Sequence, residues 1–222
     1  NLIHNKAAGY SGRFYFQEIS WLFNIFPTSL FTLPNPKTQT HMKAIIIGAT
    51  GTIGKAVATA FAESGYETLE VSRSSNPPID IDNAASVTKF FSHCGKADVV
   101  ISAAGNASFG EIGKLSESDL QHTVNSKLLG QFRVVQSALK ILYPGGTIIV
   151  TGGMLAYSPW PGTSAVAMVN AGLEGLVRGA AKETGDDRKV LVMHPPLLAE
   201  TAQKMNMDPS PWPDAAKVAN AY

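Results

Sequence analysis

Lys43-Ala-Ile-Ile-Ile-Gly-Ala-Thr-Gly-Thr-Ile-Gly54 decides the fold. An apolar run with no polar alternation passes straight into a turn with glycines at 48, 51 and 54, and the stretch after it carries Ile53, Val57, Ala60 and Phe61 on one helical face. A strand without alternation is covered on both faces, as in a parallel sheet between helices. Glycines in such a turn let a phosphate approach the backbone, and the helix N-terminus adds unpaired N–H groups and a partial positive charge. The stretch therefore predicts a pyrophosphate cradle at Gly48, Thr50, Gly51, Thr52, Ile53 and Gly54. A tight turn without a ligand would use the same glycines; the strand before and the helix after favour the cradle.

Outward from this turn, short apolar runs alternate with helical patterns, which predicts an α/β domain of Rossmann type with a doubly wound parallel sheet. Strands are expected at residues 43–47, 67–71, 79–81, 97–102, 146–151 and 189–193. One later helix carries Leu120, Val124, Leu128, Phe132, Val135 and Leu139, another Val166, Val169, Leu173, Leu176 and Ala180, and both stripes read as core. Thr163 or Ser164 is the natural N-cap of the second. Residues 42–222 form a single domain in this reading, truncated before the last edge strand because Tyr222 falls inside a helical pattern. Residues 1–41 are aromatic-rich, lack either period and precede the first methionine, Met42, so they read as a non-native or unstructured extension. Their apolar run is broken at Phe26-Pro27, is too short to span a bilayer and has no cleavage site after it.

Of 222 residues, 45% are hydrophobic and 16% charged, with a net charge of +1 and no run of like charges. This argues against a nucleic-acid surface or a membrane and for small molecules and further copies of the chain as partners. Cys94 is the sole cysteine, so no internal disulfide forms, and no Cys/His set has metal-ligand spacing. A reducing, cytoplasmic compartment and no metal site are the expectations.

Val71-Ser-Arg-Ser-Ser75 ends the second strand. A site for NAD would place Asp or Glu there on the ribose hydroxyls, whereas a 2′-phosphate wants arginine and no adjacent acid. Arg73, flanked by Ser72 and Ser74, fits the phosphate and selects NADP(H). The other reading of Arg73 is an ordinary solvated arginine at a strand end.

At this point the chain resembles the short-chain dehydrogenase/reductase family over residues 43–222. The resemblance rests on the glycine turn, on Ile79-Asp80-Ile81, on Asp98-Val-Val-Ile-Ser-Ala-Ala-Gly105, on the strand ending at Gly153 and on the strand leading to Pro195-Pro196. It implies that Asp80 and Ile81 serve the adenine, that Ala103, Ala104 and Gly105 line the cofactor, and that Pro195 and Leu197 lie at the nicotinamide. It also implies a Ser-Tyr-Lys-Asn active site, from which this sequence departs at every position. Gly153 stands for the serine, Val166 for the tyrosine, Asn170 for the lysine and Lys127 for the asparagine, and no Tyr-x-x-x-Lys occurs between residues 152 and 183.

Hydride arriving at a carbonyl carbon builds negative charge on oxygen, which must be stabilised and protonated. Lys127, three residues after Val124 on the inward side of its helix, is the candidate for that charge, with Thr151 as a catalytic hydroxyl. Lys127 could instead snorkel to solvent. Tyr157, Ser158, Thr163 and Ser164 are further hydroxyls, each read as a cap or loop residue, and His194 reads as a structural histidine near the cofactor edge. The expected function is an NADP(H)-dependent oxidoreductase moving hydride between nicotinamide and a small carbonyl or alcohol. The alternative is a non-catalytic NADP(H)-binding sensor or scaffold. The resemblance implies a homo-oligomer paired through the helices expected over 117–142 and 164–183.

Overall fold

The computed structural model describes residues 42–222. The segment read as an extension lies outside the described residues, with His4 and His41. β1 (Lys43–Ile47), β2 (Glu67–Val71), β3 (Ala97–Ser102), β4 (Leu142–Thr151) and β5 (Lys189–Met193) form one parallel sheet in the order β2-β1-β3-β4-β5. Parallel neighbours need crossovers, and the helices supply them. α1 (Thr52–Glu63) joins β1 to β2 and α2 (Ala84–Phe91) joins β2 to β3. α3 (Glu117–Thr123), a π-helical turn (Val124–Leu129) and α4 (Gly130–Ala138) join β3 to β4. α5 (Ser164–Thr184) leads into β5, and the short α6 (Ala199–Lys204) and α7 (Ala215–Ala219) follow it.

The apolar runs become strands because both sheet faces are covered. Ile45, Ile47, Val100, Ile148 and Val150 pack with Val87 and Phe90 of α2, Val134 and Ala138 of α4 and Ala180 of α5. Ala44, Ile46, Ile101 and Ile149 alternate onto the opposite face, against Val57 and Ala58 of α1 and Ala219 of α7. Each large apolar side chain so buried contributes ~1.5–3 kcal/mol relative to exposure. Helix starts are marked by polar caps: Asn83 accepts from the Ala85 and Ser86 N–H groups, and Ser116 and Asp119 cap α3 reciprocally.

Some local expectations fail. Residues 79–81 form no strand, because Pro77 and Pro78 before them supply no N–H donor; the chain turns there, with Ile79 and Ile81 buried in the core. The sheet has five strands among the described residues, not the six expected. The helix expected over 117–142 is interrupted by the π-helical turn, where the Gly130 N–H donates to the Asn125 carbonyl, and its last residues open β4 at Leu142. Thr163 holds the N-cap position of α5 without capping it, since its hydroxyl donates to the Trp160 carbonyl at 2.7 Å.

α1 can begin directly after β1 because Gly54 carries no side chain: a Cβ there would run into the Gly48 carbonyl group, whose carbon would lie 2.7 Å away. Gly48 adopts φ +86°, and a Cβ on it would lie 2.8 Å from the Ala104 nitrogen. Gly51, with φ −80° and ψ 164°, has ordinary extended geometry, so its backbone does not require glycine. Gly54→Ala is expected to lower unfolding free energy by about 1–3 kcal/mol, the cost of overpacking, and Gly51→Ala to stay within ~1 kcal/mol of the parent. Urea unfolding followed by circular dichroism measures both; equal effects would mean that the Gly54–Gly48 contact relaxes freely.

Candidate functional site

The connections from β1 and β3 leave over opposite faces of the sheet, which opens a crevice at the carboxyl ends of these strands. A cavity of about 410 Å³ lies there. Ile47, Gly48, Thr50 and Gly51 line it from the turn, Ser72, Arg73 and Ser74 from the end of β2, and Ile79, Asp80, Ile81 and Asp82 from the segment that follows. Ala103, Ala104, Gly105 and Asn106 line it from the end of β3, and Ser126 from the π-helical turn. Most residues expected at a dinucleotide therefore meet in one crevice. Thr52, Ile53 and Gly54 do not line it but form the first turn of α1, with Ile53 packed into the core; Pro195 and Leu197 lie after β5. Asn106 and Ser126 escaped the sequence reading, because their hydrogen bond spans 20 residues and no local pattern announces it.

Each lining segment is held by its own hydrogen bonds. The Gly48 and Ala49 N–H groups donate to the Val71 carbonyl at 2.8 and 3.2 Å, tying the turn to β2. α1 starts without a side-chain cap or an acidic residue in its first turn, so its leading N–H groups keep their donor capacity. The Ser75 hydroxyl accepts from the Ser72 N–H at 2.8 Å and donates to the Pro77 carbonyl at 2.7 Å, closing the turn from which Arg73 projects. Arg73 is exposed and makes no hydrogen bond or ion pair among the described residues. The Asp80 carboxylate accepts from the Asp82 N–H at 3.1 Å. Three side chains pin the stretch after β3: Gln131 donates to the Ala104 carbonyl at 2.7 Å, Ser126 accepts from Asn106 at 2.9 Å and Thr123 from Ser108 at 2.8 Å.

The same helical run carries Lys127, whose backbone lies against Gly105, and Leu128, which packs on Gly172 of α5. Two residues before Gly172 on α5, Asn170 is buried and donates to the Gly153 carbonyl at 3.3 Å, with Val166 buried one turn before it. His194, at the end of β5, packs its ring on Gly152, accepts at Nδ1 from the Gly153 N–H at 3.0 Å and faces Glu174 Oε1 with Nε2 at 3.4 Å. Glu174 also accepts from the Tyr157 hydroxyl and pairs with Arg178 at 3.1 Å. Tyr157 meets the His194 ring edge-on, with centroids 5.2 Å apart. Sequence reading passed over Glu174; its spacing of four from Asn170, which puts both on one helical face, was the available signal.

Thr151 requires a correction. It shares strand parity with Ile149, so its side chain lies on the α1 and α7 side of the sheet, where its hydroxyl is 2.9 Å from that of Tyr222. Burial pushes the Tyr222 pKa up to about 12. Lys127 belongs to the run packed on the other face, so the two candidates are not brought together. Pro195 accepts from the Met154 N–H at 2.9 Å and the Leu197 N–H is directed at the Met154 sulfur at 3.3 Å, so both hold the 3₁₀ turn Met154–Ala156.

Lys127 makes no hydrogen bond or ion pair among the described residues, and desolvation pulls its pKa down to about 8. The His194 pKa is also lowered, first by desolvation and further by the Lys127 charge, against the Gly153 hydrogen bond and the Glu174 carboxylate, which raise it. A desolvated ammonium titrating near neutrality can stabilise and protonate a developing oxyanion. Among the described residues, no group of three His, Cys, Asp or Glu is placed to hold a metal ion, and no helix is long and apolar enough to cross a membrane.

A family model described as enoyl-(acyl carrier protein) reductase matches residues 48–209. The hydroxynaphthalene reductase-like protein of Metarhizium brunneum is 26% identical over 181 residues, covering 71% of this chain and 67% of that protein. The structure of a Listeria innocua protein superposes with a TM-score of 0.75 at 30% identity, over 81% of this chain and 91% of that one. A small-chain dehydrogenase in complex with NADPH has the same fold, with a TM-score of 0.73 at 24% identity over 82% of this chain and 90% of that one. The chain spans 37% to 67% of the length of the curated relatives it matches. With the matched region running from the glycine turn through β5 and past α6, the chain belongs to the short-chain dehydrogenase/reductase family of nicotinamide-dependent oxidoreductases.

Proposed function

We propose that the chain is an NADP(H)-dependent oxidoreductase that moves hydride between the nicotinamide and a small carbonyl or alcohol. The observation that carries this reading is an uncapped helix N-terminus at a glycine turn, in the same fold as a desolvated lysine of pKa about 8 with no partner among the described residues. The crevice fits the dinucleotide on its own features: a Cβ on Gly48 would close it against Ala103 and Ala104, and Arg73 stands unpaired at its rim. Gly48, Thr50 and Gly51 with the N–H groups of Thr52, Ile53 and Gly54 would hold the pyrophosphate. Asp80 and Ile81 would hold the adenine, Ala103, Ala104 and Gly105 would line the adjoining surface, and Pro195 and Leu197 would border the nicotinamide. Arg73 with Ser72 and Ser74 would bind the 2′-phosphate, a choice supported by the fold neighbour solved with NADPH.

Bound there, the nicotinamide supplies the hydride donor or acceptor. Lys127 does the rest of the charge handling in this reading: its ammonium faces the oxygen on which charge develops and gives up a proton to it. Thr151, on the far side of the sheet, takes no part. A homo-oligomer paired through α4 and α5 fits the exposure of Phe132 and Met168 at 45% and 48%. The second reading, an NADP(H) sensor without hydride chemistry, is favoured by the apolar Val166 standing where the resemblance implies a proton donor.

Arg73→Ala is expected to weaken NADP(H) binding by ~1.5–3 kcal/mol, as for a hydrogen bond to a charged group, and to leave NAD(H) unchanged; titration calorimetry with both nucleotides decides, and equal losses would remove the phosphate assignment. Gly51→Val should stay folded, since the backbone there is unstrained, yet bind neither nucleotide, because a branched side chain would fill the phosphate's place. Retained affinity in the folded variant would show that the turn holds no pyrophosphate.

Lys127 gives a prediction with a sign. Its folded pKa of about 8 lies below its ordinary 10.5, so between those values the unfolded chain binds a proton that the folded chain has lost, and stability rises with pH. Lys127→Met should remove that rise and stabilise the fold at pH 7 by at most about 3 kcal/mol. Nucleotide affinity should be kept, and NADPH oxidation with a panel of aldehydes, ketones and quinones should fall at least ~10²-fold. Urea unfolding at pH 7 and pH 10 checks the first claim and absorbance at the reduced nicotinamide the second. Unchanged turnover would end the catalytic assignment of Lys127, and a parent that oxidises NADPH with no compound would favour the sensor.

A further inference from the structure

We propose that Arg133 is a positioning residue for Lys127: with Asn125 it clamps the π-helical turn to residues 79–82, so that a nucleotide seated on those residues sets where the lysine stands. This rests on the reading of the crevice as a dinucleotide site and of Lys127 as the group that acts on the substrate. Residues 79–82, which line the crevice, direct N–H groups toward β2 and α2 and within the segment itself. Ile79 donates to the Ser72 carbonyl at 2.9 Å, Asp80 to the Ser86 hydroxyl at 3.0 Å and Asp82 to the Asp80 carboxylate at 3.1 Å. Two of their carbonyls are taken from another direction. That of Ile81 accepts from Arg133 Nη1 at 3.1 Å, and that of Asp82 from Asn125 Nδ2 at 3.2 Å.

Three consecutive residues make the π-helical turn a bridge between two walls of the crevice. Asn125 reaches the wall at 79–82, Ser126 Oγ accepts from the Asn106 N–H at 2.9 Å on the wall after β3, and the Lys127 Cα lies 3.3 Å from where a Cβ on Gly105 would stand. Arg133 holds the first of them from α4. Its Nη2 donates to Asn125 Oδ1 at 2.8 Å and its Nη1 to the Asn125 carbonyl at 3.3 Å, the same carbonyl that receives the Gly130 N–H across the widened turn. The Asn125 amide is therefore fixed at both ends, its oxygen on Arg133 and its nitrogen on Asp82, while the guanidinium fork spans Asn125 and Ile81 at once. Arg133 is half-buried and makes no ion pair among the described residues, so its donors serve neutral acceptors and the contacts are directional. Gly130 closes the join, since a Cβ on it would lie 2.9 Å from Ile81 Cδ1. Movement of Ile81 and Asp82 under a ligand thus passes by direct hydrogen bonds to Asn125, two residues from Lys127. A misplacement of about 1 Å at a reacting group costs ~10²-fold in rate, so a clamp of this kind bears on turnover without touching the substrate.

Adenosine, which carries neither charge nor nicotinamide, tests the link in the full chain by NMR. The Lys127 ¹³Cε signal, assigned by its loss in Lys127→Met, and the Ile81 δ1 methyl, assigned by its loss in Ile81→Val, report the two ends. In the parent, saturating adenosine should shift both. In Arg133→Lys, which keeps the charge but lacks the planar fork, and in Asn125→Ala, adenosine should still shift Ile81 while the Lys127 response is lost. A Lys127 response kept in either variant, or a parent in which Ile81 responds and Lys127 does not, overturns the proposal. Loss of the Ile81 response as well would confine Arg133 to adenine binding and overturn it too. With a carbonyl that supports turnover, Arg133→Lys should lower kcat by ~10-fold or more with the carbonyl KM unchanged; a kcat at the parent's level would count against the clamp. A parent in which adenosine moves neither signal would indict the crevice reading instead. The clamp is then judged in the free protein, where Arg133→Lys must shift both signals from their parent positions and fails if either stays. A Lys127→Met variant that turns over normally would indict the lysine reading, with the adenosine response still deciding the clamp.

Discussion

Everything in this chain hangs on the divergence of two neighbouring strands' connections. β1 sends its chain over one face of the sheet and β3 sends its chain over the other, so no helix covers the carboxyl ends between them. The gap persists only if α1 begins at once, without a loop that would fill it, and the packing of Gly54 on Gly48 permits that immediate start. The helix N-terminus, the serine turn after β2 and the stretch after β3 then face one space by topology, and local hydrogen bonds set only their details.

The fold was legible because burial on both faces leaves little choice of residue: runs such as Lys43–Ile47 and Ala97–Ser102 appear as strands where the sequence places them. Legibility fails where a pattern is too short to carry its own signal. Residues 79–81 look like a strand by composition, yet two prolines upstream and a length of three leave too few ladder bonds to compete with a turn. The π-helical turn left no mark either, since one extra residue per turn changes spacing by less than the noise in the apolar stripe. In the crevice, the glycine turn and Arg73 line one cavity, as the sequence placed them. Thr151 was misassigned by proximity in sequence, although its parity with Ile149 already placed it on the wrong face. Glu174 and Tyr157 matter through a contact across 17 residues, which only the folded chain reveals.

Lys127 imposes a standing cost on the fold. A desolvated ammonium without an anion is a group that selection for stability alone would remove. Asn170 keeps its buried oxygen unpaired and His194 turns toward Glu174. Unmet polar capacity at positions where the resemblance implies an active site matches the way functional sites hold local penalties that the surrounding structure bears. Elsewhere in the core, Ser102 Oγ and Gln131 Oε1 are also buried without a partner.

The turn after β2 is built by serines, while its arginine stands outside in water. Ser72, Ser75 and Pro77 fix the backbone among themselves, and Arg73 bears no part of that load. A charge presented in this way needs no internal pair to be broken before it meets an anion, but it is also open to the ions around it. If Arg73 binds the 2′-phosphate as proposed, recognition at this rim is a screened interaction, strong in dilute buffer and weaker at the ionic strength of a cell, where the Debye length shrinks to about 8 Å. On that proposal, discrimination between two ligands that differ only in a phosphate at this point would be a property of the medium as much as of the protein.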